Sequence, residues 1–412
     1  MSDPLIFILA GGEGVRLRPL TEHRCKPAIP FGGRYRLIDV AISNALKPRW
    51  DKVYALTQFL SDSLNTYIST AYEGKVSILS PKDIPYQGTA DCIRKHLSLI
   101  EASDSDHIVI LSGDQLYSMD LEEMLMSAKM TGADLTIAAL PINEEEATRM
   151  GVMKINENKM IVDFIEKPKT EALLNEFSLS RKQTNKIHSL DERIFLGSMG
   201  IYIFKKQALL KLLKEDVGTD FGLHLIPEQR RQGKTFAYIF DGYWEDIGTI
   251  KSYYTANLKL LESSTLFDIF FSKDSTLLTG GLYLPPAKID SCYIENSIIS
   301  DGCIISAKEI SYSLLGLNTD VGTGSILSGV LSLGALNSHE KTTIGKDCFL
   351  EKVIIDESAI IEDNVDLSLH GEALPDVDLG PVTIKDGIIV VKKGAVVSKN
   401  FSLMHQKERL SA

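Results

Sequence analysis

The stretch LAGGEGVRLRPLTEHRCKP, residues 9–27, sets three glycines, three arginines and a lysine directly behind the apolar run LIFIL. Glycine lets backbone N–H groups approach an anion closely, and a Gly-rich loop at the carboxyl end of a first strand is where open α/β sheets place phosphates. Gly11, Gly12 and Gly14 supply that freedom, and Arg16 and Lys26 supply charge, one as a planar fork and the other as a point cation. The dinucleotide frame GxGxxG fails, because it needs glycine where Leu17 stands, and no GxxxxGK[ST] is present. A tight turn whose arginines face water would use the same residues. Downstream, Asp114 ends the run HIVILSGD and Asp246 stands in YWEDIGT. A pair of carboxylates with phosphate oxygens suits Mg²⁺, although Asp114 could also cap a helix or turn and Asp246 could serve a turn before Ile-Gly.

Charge narrows what the loop could hold. The 412 residues carry a net charge of −11, which excludes a protein built to grip a nucleic-acid backbone. Between Ala10 and Arg36, however, six basic residues (Arg16, Arg18, Arg24, Lys26, Arg34, Arg36) face only Glu13 and Glu22. An acidic chain with one basic loop reads as a binder of a small anion. No apolar run approaches the roughly 20 residues that span a bilayer, and the start lacks the marks of a signal peptide. Five cysteines with no CxxC pair argue against a disulfide framework or thiolate metal site, so a reducing cytoplasm is expected.

Two regions with different grammar must position these residues. Up to about residue 262, LIFIL, KVYAL, HIVIL, ADLTIAAL and GIYIF read as strands alternating with helix-like stretches, the sign of an α/β domain with a mostly parallel, Rossmann-like sheet. Asp120 predicts a helix start, with Glu123 completing a capping box and Leu121, Met124, Leu125 and Ala128 on one apolar face. Residues 263–290 read as a linker too apolar to be floppy. From residue 291 to 412 short apolar units recur: Cys292, Ile298, Ile304 and Ile310 fall at six-residue steps, and Leu315 with Val321, then Cys348, Ile354 and Ile360, continue the step. That period suits a parallel β-helix of triangular coils with SLGALNSHEKTTIG thrown out as a loop; an antiparallel sandwich is the alternative.

The spelling adds a resemblance. LAGGEGVRLRPLTEHRCKPAIPFGGRYRLIDVAISN, followed in order by QGTADCIRKHL, ILSGDQLYSMD, MGVMKI, FIEKP, SMGIYIF, DFGLHLIP, YWEDIGTI and YLPPAKI, closely resembles the bacterial and plant ADP-glucose pyrophosphorylases, along nearly the whole chain. The resemblance implies a nucleotidyltransferase domain followed by a left-handed parallel β-helix, and Mg²⁺-dependent transfer of adenylyl from ATP to glucose 1-phosphate, giving ADP-glucose and pyrophosphate for glycogen or a similar α-glucan. It implies catalytic roles for Arg16, Lys26 and Asp114, and metal binding by Asp114 and Asp246. ATP would be bound by Ala10, Gly11, Gly12, Gly14, Arg16, Lys26, Gln58, Gln87, Gly88 and Thr89. Glucose 1-phosphate would be bound by Glu166, Lys167, Ser198, Tyr202, Asp220, Phe221 and Trp244. Read as bare residues, the Glu-Lys-Pro word is a solvated turn, Tyr202 and Phe221 could be core aromatics, and Thr89 could simply cap the helix ADCIRKHLSLI.

The resemblance also implies a homotetramer and an anionic sugar-phosphate effector, for which Lys393 matches a basic position. Glu22, His23 and Asn318 replace residues that are often basic in the family, so weak or altered activation is expected. Two rivals stand beside this reading: a nucleotidyltransferase making a UDP-, dTDP- or GDP-sugar, and a non-catalytic subunit with a decayed site. Retention of Arg16, Lys26, Asp114, Lys167 and Asp246 argues against the second.

Overall fold

The computed structural model describes residues 2–179, 193–262, 264–271, 277–280, 283–335, 340–372, 374–399 and 401–403. The first region is an α/β unit around a nine-stranded sheet. At its centre the strand Leu5–Ala10 runs parallel to Val53–Thr57 on one side and His107–Ser112 on the other, with Ile8 opposite both Ala55 and Leu111. All three are apolar runs covered on both faces, as parallel strands require. Val76–Leu79 extends the parallel half. On the other side the long strand Phe195–Lys205 pairs antiparallel with His107–Ser112, Leu135–Ile142 and Gly151–Ile155, and Thr235–Ile239 returns parallel to Leu135–Ile142. Because the three central strands point the same way, the chain after Ala10, Thr57 and Ser112 emerges at one edge.

Local signals account for the helices around this sheet. Asp120 accepts from the Glu123 backbone N–H at 3.0 Å, the helix runs Leu121–Thr131, and it buries Leu121, Met124, Leu125 and Ala128, the four residues expected from the sequence. Gly132, at φ 61°, ends it in the left-handed turn that glycine tolerates. Another helix, Leu37–Leu46, is pinned by Asp39, whose carboxylate accepts from the Arg36 backbone N–H at 2.8 Å, the Tyr67 hydroxyl at 2.7 Å and the Tyr72 hydroxyl at 2.8 Å. The segment expected to be a linker carries the helix Ser264–Phe271, which is docked: Phe270 is buried and meets Phe31 edge-on, with ring centroids 5.7 Å apart.

The second region is a parallel β-helix, not a sandwich. Three ladders of two- to four-residue strands run up its sides: one from Lys288–Ile289 through Ile304–Ile305, Thr319–Val321, Thr342–Ile344 and Ile360–Ile361 to Val396–Val397, one from Tyr293–Glu295 to Asp366–Leu367, and one from Ile298–Ile299 to Ile388–Val391. The six-residue period is real, but its phase is corrected on two sides. On the first ladder Ile305 and Ile361 fill the core, while Ile304 and Ile360 point outward and are each 42% exposed. On the third, Ile354 points away from the β-helix core and Ile298 packs the same way. Neighbouring residues of a strand point to opposite faces, so spacing alone cannot say which of two adjacent isoleucines turns inward. Ile310, Leu315, Val321 and Cys348 do turn inward, with Cys292 half-buried beside them.

The third ladder is buried on both faces. Leu315 and Ile355 face the β-helix core, whereas Leu314, Leu331, Ile354 and Val390 join the core of the α/β unit beneath the helix Ile250–Glu262. Polar ties frame this seam: the Tyr254 hydroxyl donates to the Gly329 carbonyl at 2.5 Å, and the Leu317 N–H donates to the Gly33 carbonyl at 3.2 Å. Among the described residues no helix is long and apolar enough to cross a membrane, and all five cysteines are free.

Two outcomes are expected. Leu331→Ala leaves a cavity in the seam and lowers unfolding stability in urea by about 2–5 kcal/mol; a loss of less than about 1 kcal/mol would show that the seam collapses to fill it. Burial pushes the Asp39 carboxyl up to about 6, against the opposing effect of its Tyr67, Arg36 and Tyr72 donors. A raised carboxyl pKa gives stability that is complete below the ordinary carboxylate range and is lost as pH rises through about 6. Melting curves taken between about pH 5 and 7.5 should therefore show wild type gaining on Asp39→Asn as the pH falls, and a constant difference would contradict this assignment.

Candidate active site

At the edge where the three parallel strands end, Lys26 is the organising charge. It lies in a short 3₁₀ turn, Lys26–Ala28, opened by Pro27. Its ammonium, in a side chain only 9% exposed, sits 2.8 Å from Asp114 Oδ2 and 3.3 Å from Asp246 Oδ1. Asp114 arrives from the end of His107–Ser112. Asp246 is brought alongside by a two-stranded ribbon in which Gln115–Tyr117 pairs antiparallel with Trp244–Asp246, Asp246 opposite Gln115. Burial alone would lower the Lys26 pKa and raise that of Asp114; each is outweighed by the other's charge and hydrogen bond, so Lys26 titrates above and Asp114 below its ordinary range. Both are charged at neutral pH.

The glycine loop closes over this group. Gly14 adopts φ 66°, and a Cβ there would stand 2.9 Å from that of Lys26, so only glycine lets the loop pass so close to the lysine stem. Around Gly12 there is open space. Arg16 is exposed and reaches across to the Asp246 loop, where a Cβ on Gly248 would stand 3.2 Å from its Nη2. Three segments far apart in the chain thus present Arg16, Lys26, Asp114 and Asp246 together.

A cavity of about 260 Å³ opens beside them, lined by Gly11, Gly12, Gln58, Gly88, Thr89 and Asp114, with Tyr86 and Ser112 also on its wall. Ala10 is buried behind it. Gln58 turns both ends of its amide to Tyr86, accepting from the backbone N–H and donating to the carbonyl at 3.3 Å, so in this structure it shapes the loop that borders the cavity. Gln87 points away and donates to the Pro85 carbonyl at 3.2 Å. Gly88 is required by close approach, since a Cβ would stand 2.4 Å from the Thr219 carbonyl oxygen.

Thr89 does more than end a helix. Its hydroxyl donates to Asp220 Oδ2 at 3.0 Å and accepts from the Phe221 backbone N–H at 3.0 Å, while Asp220 Oδ1 accepts from the Leu223 N–H. The residues expected at a nucleotide are thereby latched to those expected at a sugar. Glu166 stands next along: Gly151 and Gly222 leave room for its carboxylate, which a Cβ at Gly222 would approach to 2.4 Å. Burial raises its pKa, against the effect of Lys167, whose ammonium lies 3.1 Å away. Lys167, at φ 50°, is held by its backbone N–H on the Met150 carbonyl.

Met150, Trp244 and Asp246 share a second cavity of about 300 Å³ with Arg149 and Glu245, and the Trp244 indole N–H donates to Gln115 Oε1 at 3.3 Å. Tyr202 and Phe221 are buried core aromatics with ring centroids 5.5 Å apart, beside the buried Ser198. Phe221, 1% exposed, packs its ring in the core and gives its backbone N–H to Thr89, so it supports the site from behind.

Asp114 and Asp246 fit a magnesium ion by chemistry. Both are hard oxygen donors, they converge on one positive charge already, and Mg²⁺ is commonly held by one or two carboxylates with waters and phosphate oxygens. No group of three or more His, Cys, Asp or Glu able to hold a metal occurs among the described residues. Ser112 was missed in the sequence. Its hydroxyl donates to Asp114 Oδ1 at 2.5 Å, leaving Oδ2 for Lys26, and a serine two residues before an acid at a strand end was the available signal.

The latch generates a prediction. Thr89→Val keeps the shape and removes both hydrogen bonds, so the KM for a sugar phosphate should rise by roughly tenfold with little change in kcat, and Thr89→Ser should restore it. An unchanged KM in the valine variant would remove Thr89 from the coupling.

Comparison with family models agrees with the architecture. A nucleotidyl transferase model matches residues 6–263, and a model of the GLGC left-handed parallel β-helix domain matches residues 282–401. The chain is a member of the nucleotidyl transferase family carrying a GLGC-type left-handed β-helix, the two-part architecture of ADP-glucose pyrophosphorylase.

Proposed function

We propose that this sugar nucleotidyltransferase converts ATP and glucose 1-phosphate to ADP-glucose and pyrophosphate, for synthesis of glycogen or a related α-glucan in the cytoplasm. The observation that carries the reading is the Lys26 ammonium held between Asp114 and Asp246 under a glycine loop. In the reaction an oxygen of the sugar phosphate forms a bond to the α-phosphorus as the bond from that phosphorus to the bridging oxygen of the pyrophosphate breaks. No covalent help from the protein is needed; alignment and charge neutralisation are. Asp114 and Asp246 would hold Mg²⁺, which when bound supplies charge neutralisation to the triphosphate.

The chain's own residues do the rest. The open space at Gly12 gives the triphosphate access to the loop backbone, with Ala10, Gly11 and Gly14 shaping that loop. Arg16, exposed at the same edge, neutralises the departing pyrophosphate, and Lys26 keeps the two acids aligned. Gln58, Gln87, Gly88 and Thr89 form the base side, Gln58 by fixing Tyr86. Glu166 accepts from sugar hydroxyls, Lys167 meets the sugar phosphate, and Asp220 and Trp244 wall the sugar, backed by Ser198, Tyr202 and the Phe221 backbone. The working form is a homotetramer. An anionic sugar-phosphate effector acts weakly through the region of Lys393, in keeping with Glu22, His23 and Asn318.

Pyrophosphate release by the purified protein with glucose 1-phosphate and ATP, UTP, dTTP or GTP tests this. ATP should be preferred by about tenfold or more in kcat/KM, and Asp114→Asn should lower the ATP rate by roughly a hundredfold or more. Preference for UTP, dTTP or GTP would transfer the assignment to another sugar nucleotide. Undiminished turnover in Asp114→Asn would remove that residue from the mechanism.

A further inference from the structure

Between the two domains lies a cavity of about 620 Å³ onto which Arg24, Arg34, Arg36 and Lys393 all open. Four cations around one space are what a phosphate-bearing molecule would require, yet most of their charge is already answered from within the chain. Glu357, on the β-helix turn between Val353–Ile355 and Ile360–Ile361, reaches into the group. Its Oε2 accepts from Arg24 Nη1 at 2.6 Å and from Lys393 Nζ at 2.9 Å. The neighbouring Asp356 takes Arg24 Nη2, and Arg24 Nε donates to the Leu20 carbonyl at 3.0 Å. All three nitrogens of Arg24 are therefore engaged in a side chain only 3% exposed. Arg34 pairs with Asp301 at 3.4 Å. Arg36 differs: its guanidinium lies 4.0 Å from the centre of the Tyr67 ring, and its buried Nε has no hydrogen-bond partner.

We propose that Glu357 is a built-in anion that takes the place a phosphate group of a small ligand would occupy in this cavity, and so keeps phosphorylated ligands out. One carboxylate oxygen between an arginine of the first domain and a lysine of the second makes the contacts that a bridging phosphate oxygen would make. A phosphate entering the cavity meets Glu357 as a like charge and finds Arg24 saturated. Removing the Glu357 charge leaves Lys393 and Arg24 Nη1 without their shared acceptor, beside an Arg36 that is already short of one, and the cavity becomes an anion site. The inference deepens the effector part of the proposed function by naming what limits it. Its test reads binding rather than turnover, so it stands or falls separately from the nucleotide preference.

The full-length protein is melted with inorganic phosphate or fructose 1,6-bisphosphate, at ionic strength matched with sodium chloride. The readout is the part of the stabilisation that an additional Lys393→Gln substitution abolishes, which separates this cavity from the candidate active site. Wild type should show at most a small part of it. Glu357→Gln should show a saturable rise in Tm of about 2 °C or more at saturating phosphate, larger with the bisphosphate. Glu357→Thr, uncharged and smaller, repeats the measurement where the amide does not fit beside Asp356. A Lys393-dependent stabilisation of wild type equal to that of the variant would overturn the proposal, as would a folded, uncharged variant with no such stabilisation.

Discussion

One ammonium between two carboxylates holds the candidate active site together. Asp114, in the turn after His107–Ser112, and Asp246, at the end of Trp244–Asp246, lie far apart in the chain, and two acids brought close with nothing between them would repel or take up protons. The buried Lys26 makes their convergence favourable, and in turn its own burial is tolerable only because both acids are there. Everything nearby follows from that mutual dependence. The turn Lys26–Ala28 has to press against the sheet edge, Gly14 has to be bare to let it, and the ribbon Gln115–Tyr117 with Trp244–Asp246 has to carry the second acid over. A divalent ion in the same position would add to a cationic centre that the fold has already prepared.

The sequence showed more of the scaffold than of the wiring. Helix Leu121–Thr131 was legible down to its buried face, because the Asp120 cap and the apolar spacing are local signals. The coincidence of Ala10, Gln58 and Asp114 at one edge followed from three parallel strands that could each be read. The β-helix period was legible too, whereas its phase was not, since Ile304 and Ile305 are equally apolar and only packing distinguishes them. Side-chain partners were least legible. Thr89 and Asp220 are 131 positions apart, and Arg24 and Glu357 are 333 apart, so neither pair leaves any mark on a single sequence. Gln58 illustrates the same limit: the resemblance implies an amide at the nucleotide, while the fold turns both of its ends to Tyr86.

The two cavities near the Asp114–Lys26–Asp246 group are joined by hydrogen bonds and close packing rather than by one continuous wall. From Thr89 the path runs through Asp220 and Gly222 to Glu166, then Lys167, then Met150 and the Trp244 cavity. A transfer reaction between two bound substrates benefits from such an arrangement, because closing on one prepares the geometry for the other.

The doubly covered ladder of the β-helix reaches beyond the site. Its outward row, Leu314, Leu331, Ile354 and Val390, is as apolar as an interior because it is one. Severing the chain between the regions would therefore uncover a greasy stripe on each fragment, and neither would stay dispersed alone. The C-terminal coils are less an appendage than half of a shared wall, so a ribosome releasing the first region early would leave it waiting, unfinished, for the last third of the chain.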